Sequence, residues 1–137
     1  MIEAIESINE IPFNLSIDCA QDFLALSPIS IVTSGTASLE AAVLGSVPII
    51  CYKTNKLNYA ILSRLLKTPF IGLPNLLLQE HIFPELVQNN LTPNTIVESF
   101  KKILIDSGQY NSYLSKINHS MHGEGFEVAA NAIKKIL

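Results

Sequence analysis

The sequence contains little charge for a chain of its length. Charged residues make up 15% of the 137 residues and hydrophobic residues 48%, whereas an ordinary soluble domain carries about 25% charged residues. This composition excludes a disordered chain, a collagen and a coiled coil, and the length fits one domain. The shortage of charge indicates that part of the surface faces lipid, a partner or further polypeptide instead of water.

No uninterrupted apolar run is long enough to cross a bilayer, which takes about 18 residues. The two least polar stretches, 23–39 and 41–52, are interrupted by Ser, Thr, Gly or Pro. Residues 1–6 lack the basic and apolar regions of a secretory signal. We therefore expect a cytoplasmic chain, in which Cys19 and Cys51 are small buried side chains and not a disulfide.

Acidic residues are absent between Glu40 and Glu80, and four cations give this interval a charge of +4. The net charge is −3, and a one-signed stretch of this kind attracts anions. An ordinary helix face exposed to solvent would explain this interval of positive charge as well as an anion-binding role does. The chain has no basic cluster with interleaved aromatic residues and its pI is about 5.5, so nucleic acid is not an expected partner. The four cations are Lys53, Lys56, Arg64 and Lys67.

Short β-branched runs alternate with helical segments over the first two thirds of the chain. The predicted strands are 12–17, 29–32, 47–52 and 69–73, and the predicted helices are 19–26, 37–44 and 57–66. This alternation predicts an α/β fold, with βαβ units that form a partial Rossmann-like parallel sheet of three to four strands. Because such sheets normally contain five or six strands, we expect this sheet to continue in polypeptide outside the sequence.

From Thr92 onward the apolar residues recur at helical spacing, which predicts a helical carboxyl-terminal tail. Thr92 followed by Pro93 is typical of an N-cap and first helical position. Residues 123–125 are expected to precede a last helix. We therefore divide the chain into βαβ units over about 1–91 and a helical tail over about 92–137.

The segment Ser34-Gly35-Thr36 lies where a predicted strand passes into a helix, which is the edge of an open α/β sheet where ligands bind. The first N–H groups of that helix lack intrahelical partners and carry its positive end, and glycine allows a phosphate to approach closely. Glu40, one turn later, is placed to accept hydrogen bonds from ribose hydroxyls. An ordinary N-cap and a surface acid remain the alternative, because neither a P-loop nor a GxGxxG pattern is present.

Other kinds of catalytic site lack support in the sequence. His81, His119 and His122 form no metal-binding pattern, so surface or capping roles are expected. Neither Ser34 nor Ser38 lies in a GxSxG motif, which argues against a hydrolase triad.

Several segments in combination resemble the lipid-A-disaccharide synthase family of glycosyltransferases, which have two Rossmann-like domains facing a cleft (GT-B type). The similarity runs from about Pro12 to the end, and its most specific elements are Ser-Gly-Thr-Ala-x-Leu-Glu and Leu-Pro-Asn-Leu. The segments that carry it are Ser34 to Glu40, Val47 to Tyr52, Arg64 to Thr68, Leu73 to Leu77 and Pro84 to Leu86.

The resemblance implies transfer of 2,3-diacylglucosamine from UDP to 2,3-diacylglucosamine 1-phosphate, with inversion and without a metal or other cofactor. It implies that the chain is the donor-binding part of such an enzyme. Ser34, Gly35 and Thr36 would then hold the pyrophosphate, Glu40 the ribose, and the Asn75 amide the diphosphate or donor sugar. For Asn75, an ordinary turn after Pro74 is the alternative.

The sequence departs from the family in its length. The amino-terminal domain, with the acceptor pocket and general base, is expected to lie outside it, so no catalytic residue is assignable and the isolated chain is expected to be inactive. The expected partners are UDP-2,3-diacylglucosamine, a lipid acceptor, and a second copy or a complementing chain. The four cations beside apolar Leu57 and Leu65 indicate peripheral contact with the inner membrane. A non-catalytic nucleotide-binding or interaction module is the alternative function.

Overall fold

The computed structural model describes residues 17–55 and 69–122, in which helices alternate with parallel strands before two helices end the described part. In chain order the elements are α1 (Ala20–Leu26), β1 (Ile29–Thr33), α2 (Thr36–Val43), β2 (Val47–Tyr52), α3 (Leu73–Leu78), β3 (Glu85–Val87), a 3-10 turn (Gln88–Asn90), α4 (Pro93–Ile105) and α5 (Ser107–His122). The predicted α/β class is confirmed. Within the described ranges, no helix is both long and apolar enough to cross a membrane.

The described strands form one parallel sheet in the order β1-β2-β3. β1 pairs with β2 from Ile29 opposite Val47, whereas β3 joins β2 only from Ile50 opposite Glu85. The late start of β3 explains how Pro48 fits into the central strand. Its nitrogen is on the side of β2 where β3 has not yet begun, so no hydrogen bond of the ladder is lost.

The hydrophobic core lies between the sheet and the last two helices. β2 is buried along its first four residues, as expected for a strand with a neighbour on each side. Phe83, in the loop before β3, packs with β2 and the helices in the same cluster. The largest fully buried apolar side chains of this core are Ile49, Ile50, Phe83, Ile103 and Ile117.

The start of α4 matches its prediction. Thr92 is the N-cap, and its hydroxyl oxygen accepts a hydrogen bond from the Thr95 N–H at 3.2 Å. The Thr95 hydroxyl oxygen accepts one from the Thr92 N–H at 3.1 Å, which completes a capping box, and Pro93 begins the helix. The helical tail is therefore confirmed as far as His122, and the predicted last helix is outside the described residues.

One predicted strand is wrong. Residues 69–73 form no strand; Gly72 is instead the N-cap of α3, which Pro74 helps to start. The N–H groups of Ile71 and Gly72 donate to the carboxylate of Glu85 and not to a neighbouring strand. The third strand is β3, which we did not predict. The predicted strand at 12–17, apart from Ile17, and the predicted helix at 57–66 are outside the described residues.

Candidate functional site

The turn from Ser34 to Thr36 lies at the carboxyl end of β1, where α2 begins. The Ser34 N–H donates to the carbonyl of Cys51 at 3.2 Å, so the turn is held against the end of β2. Gly35 has φ 116° and ψ −153°, and a Cβ added there would meet no atom within 4 Å. Backbone conformation, and not lack of space, therefore favours glycine at this position.

Ser38 stabilises the turn through two hydrogen bonds to the Gly35 carbonyl. Its side chain is fully buried and its hydroxyl donates to the Gly35 carbonyl at 2.7 Å, beside the Ser38 N–H, which donates to the same carbonyl at 3.2 Å. The first N–H groups of α2, which lack partners inside a helix, consequently lie in a fixed turn at the carboxyl edge of the sheet. An anion at this edge is stabilised by those N–H groups and by the positive end of the helix.

The ends of β2 and β3 meet at the same edge. The Thr54 N–H donates to the side-chain oxygen of Gln88 at 3.4 Å. Gln88 follows β3 directly with φ 52°, and its buried side-chain nitrogen has no partner among the described residues. Gln88 was not predicted as a site residue, because β3 itself was not predicted. The signal for it is a polar residue that directly follows a strand. Lys53, directly after β2, is exposed beside this edge.

Glu40 lies one turn into α2 and is half-buried. One of its carboxylate oxygens accepts a hydrogen bond from the side-chain nitrogen of Gln21 at 2.7 Å. Glu40 also lines a cleft of about 330 Å³ together with Asp18 and Asp22. Three carboxylates can accept hydrogen bonds from hydroxyl groups, whereas they would repel an anionic ligand. The predicted contact of Glu40 with ribose stays a prediction.

Asn75, near the start of α3, is fully buried and uses all four hydrogen bonds of its side chain within the chain. Its nitrogen donates to the Phe83 carbonyl and to Glu85, each at 2.8 Å. Its oxygen accepts from the N–H groups of Ile82 at 3.1 Å and Phe83 at 2.9 Å. The predicted contact with a donor stays a prediction, and a ligand bonded to this amide would have to replace one of these four bonds.

Glu85 connects the start of α3 with the start of β3. One carboxylate oxygen accepts from the Gly72 N–H at 3.0 Å as well as from Asn75, and the other accepts from the Ile71 N–H at 3.0 Å. Gly72 must be small, since a Cβ there would lie 2.3 Å from the terminal methyl of Ile50 and 3.2 Å from Glu85. The Leu-Pro-Asn-Leu segment is thereby fixed to the sheet, and α3 also packs against α2.

The remaining predicted groups are dispersed. Lys56, Arg64 and Lys67 are outside the described residues. The ring of His81 lies beside the ring of Phe70, with centroids 4.7 Å apart and an interplanar angle of 60°. Across 17–55 and 69–122, no three His, Cys, Asp or Glu side chains are grouped as metal ligands would be. Both cysteines are free, and burial raises the pKa of the Cys51 thiol.

Comparisons with known proteins agree on one family. The family described as lipid-A-disaccharide synthetase matches residues 2–136. Lipid-A-disaccharide synthase of Dechloromonas aromatica is 33% identical over 131 residues, which cover 93% of this chain and 34% of that protein. The Azoarcus sp. enzyme of the same name is 34% identical over 128 residues, covering 91% of this chain and 33% of that protein.

A third relative is lipid-A-disaccharide synthase 2 of Legionella pneumophila, 36% identical over 120 residues, covering 86% of this chain and 31% of that protein. The chain thus spans about one third of the length of these relatives. Because the family match extends over nearly every residue, the chain belongs to the lipid-A-disaccharide synthetase family.

Proposed function

We propose that this chain is the donor-nucleotide-binding part of a lipid-A-disaccharide synthase. The observation that carries the proposal is the Ser34–Gly35–Thr36 turn at the carboxyl end of a parallel strand, opening α2. In open α/β sheets this edge is where ligands bind, and a helix opening there favours a phosphate. In the proposed complex, the diphosphate of a UDP-sugar lies against the Ser34–Gly35–Thr36 turn.

The neighbouring groups support a nucleotide diphosphate over a simple anion. Glu40 lies one helical turn after Thr36, and one of its carboxylate oxygens accepts a hydrogen bond from the exposed side chain of Gln21. Ribose hydroxyls donate to carboxylates of this kind. Lys53 adds a positive charge beside the diphosphate edge.

The reaction proposed for the complete enzyme transfers 2,3-diacylglucosamine from UDP to 2,3-diacylglucosamine 1-phosphate, with inversion at the anomeric carbon. General base catalysis needs a group within hydrogen-bond reach of the attacking hydroxyl. We propose that the acceptor site and that base lie in polypeptide that this chain does not span. The isolated chain is therefore proposed to be inactive, and turnover of a radiolabelled donor by the purified 137-residue chain would contradict this.

We also propose peripheral contact with an anionic membrane, since both proposed substrates carry acyl chains and the interval between Glu40 and Glu80 contains four cations and no acid. Binding to anionic vesicles should weaken with salt and be lost when Lys53, Lys56, Arg64 and Lys67 are changed to Gln. Salt-independent binding would contradict it.

Calorimetric titration with UDP and with uridine tests the donor site. UDP should bind more tightly than uridine, because only UDP carries the diphosphate. Glu40→Ala should weaken UDP binding about tenfold, the value of one lost hydrogen bond to a charged group. Glu98→Ala, an exposed acid on α4, is the control and should leave the affinity unchanged. Equal affinity for UDP and uridine, or no effect of Glu40→Ala, would contradict the proposal.

A further inference from the structure

The side chain of Gln88, at the carboxyl edge of the sheet, is only partly satisfied by hydrogen bonds. Its buried Nε2 nitrogen has no partner among residues 17–55 and 69–122. Its Oε1 oxygen accepts from the Thr54 N–H at 3.4 Å, which is longer than the usual N–H···O distance of about 2.7–3.2 Å. Gln88 also has φ 52°, a left-handed conformation that side chains disfavour. An unsatisfied buried group on a strained backbone is a mark of functional sites.

The partner of Gln88 shows which part of the chain its side chain acts on. Thr54 belongs to the segment 53–55, which follows β2 and is neither helix nor strand. Because β2 and β3 are parallel neighbours, the bond from Thr54 to Gln88 connects the carboxyl ends of the two strands. Lys53 and Asn55 are exposed in this segment, on either side of Thr54. Gln88 therefore acts on polar residues that adjoin the candidate donor site.

The order of the elements along the edge relates Gln88 to one part of a donor. Glu40 accepts its hydrogen bond from Gln21 of α1, the helix that precedes β1, so the proposed ribose position is on the α1 side of the 34–36 turn. Gln88 follows β3, two strand spacings or about 10 Å from β1 on the other side. In a UDP-sugar the diphosphate joins the nucleoside to the sugar. A diphosphate at the turn therefore directs the sugar past the end of β2, towards Gln88.

On the basis of the proposed function, we propose that Gln88 is a positioning residue for the sugar of the donor. When a UDP-sugar binds, the segment 53–55 moves onto Gln88. The bond from the Thr54 N–H to Oε1 shortens, and Nε2 donates to a main-chain carbonyl of the segment. The segment then presents polar groups to the hydroxyl and acyl oxygens of a UDP-2,3-diacylglucosamine. UDP alone occupies the turn and leaves the segment where it is.

Amide chemical shifts of the isotope-labelled 137-residue chain test this movement. The two ligands are UDP and the water-soluble UDP-2,3-diacetylglucosamine. Both should shift the amides of Gly35 and Thr36, whereas only the sugar-containing ligand should shift the Thr54 amide and the side-chain NH₂ signals of Gln88. These NH₂ signals are assigned by their absence from the spectrum of Gln88→Ala.

Calorimetric titration of variants tests the role of the side chain. Gln88→Ala removes both amide atoms, and Gln88→Glu keeps an acceptor for Thr54 but removes the N–H donor. Each should weaken binding of UDP-2,3-diacetylglucosamine about fivefold, the value of one hydrogen bond, and change UDP affinity less than about twofold. Partial unfolding would weaken both ligands equally, so the ratio of the two affinities reports positioning. Gln109→Ala, at an exposed position on α5, is the matched control and should leave the ratio unchanged.

The results separate this inference from the proposed function. If UDP failed to shift the amides of Gly35 and Thr36, both would be overturned. If UDP shifted them but the sugar-containing ligand had no further effect at Thr54 and Gln88, only the positioning role would be overturned. Equal losses of affinity for the two ligands in Gln88→Ala would also overturn it, because they would indicate a purely structural role.

Discussion

Asn75 illustrates how much of this fold depends on single polar side chains. Its side-chain amide forms hydrogen bonds with main-chain groups of Ile82 and Phe83, in the loop before β3, and with the Glu85 carboxylate. All four bonds are formed with residues seven to ten positions away. The Leu-Pro-Asn-Leu pattern indicated that this residue matters, but the local sequence could not show that its partners are in the next loop.

Asn75→Ala should destabilise the chain by about 3 kcal/mol, because it leaves buried N–H and C=O groups and part of the Glu85 carboxylate without a partner. Urea unfolding followed by circular dichroism measures this change. Asn111→Ala, at an exposed position on α5, is the control and should change the unfolding free energy by less than about 0.5 kcal/mol. Similar losses in the two variants would show that the buried network adds little stability.

Tyr110 makes stability depend on pH in the alkaline range. Burial, and secondarily the charge of Asp106, raises the pKa of the Tyr110 phenol above its ordinary value of 10.0. The folded chain therefore holds the phenol proton more tightly than the unfolded chain. The corresponding stabilisation is complete below pH 10 and is lost as pH rises through the folded pKa.

Tyr110→Phe should accordingly flatten the fall in unfolding free energy above about pH 10. Urea unfolding of both proteins at several pH values in this range measures the two slopes. An equally steep slope in the variant would assign the alkaline loss of stability to other groups.

At the scale of elements, the close approach of Gly72, the N-cap of α3, to Ile50 of β2 requires the absence of a side chain at Gly72. A Cβ there would lie 2.3 Å from the terminal methyl of Ile50, so this buried side chain would have to shift. Overpacking of this kind typically costs about 1–3 kcal/mol.

Gly72→Ala should therefore be destabilising, and it should be less so when Ile50→Val removes the methyl group in contact. A double-mutant cycle from unfolding free energies gives this coupling. Gly108→Ala, in the first turn of α5 with no atom within 4 Å of the added carbon, should instead not destabilise the chain. Additive effects of Gly72→Ala and Ile50→Val would contradict the steric explanation.

Elements with strong local signals were predicted correctly and elements defined by tertiary contacts were not. β2 is a continuous apolar run between Ser46 and Lys53, and its bounds follow from that pattern. β3 has three residues and exists because it pairs with Ile50 to Tyr52. The run 69–73 has the composition of a strand, but two of its N–H groups are bonded to a carboxylate that follows it in the chain by 13 or 14 residues.

At the scale of the whole molecule, the described part contains a three-stranded parallel sheet, and the carboxyl ends of its strands form the candidate donor site. The predicted turn residues Ser34, Gly35 and Thr36 are where the sequence placed them, because a strand followed by glycine and a helix is a local signal. Gln88 lies at the same edge of the sheet because β3 pairs with β2, which the local sequence around Gln88 does not show.

The central claim is that a nucleotide diphosphate binds at the carboxyl edge of the sheet, against the start of α2. Mapping of amide chemical shifts during a UDP titration of the isotope-labelled chain tests it most directly. The amides of Gly35, Thr36 and Ala37 should shift, while those of Ile29 and Val47, at the opposite edge, should stay unchanged. Shifts confined to the opposite edge, or none at the turn with UDP in excess, would contradict the claim.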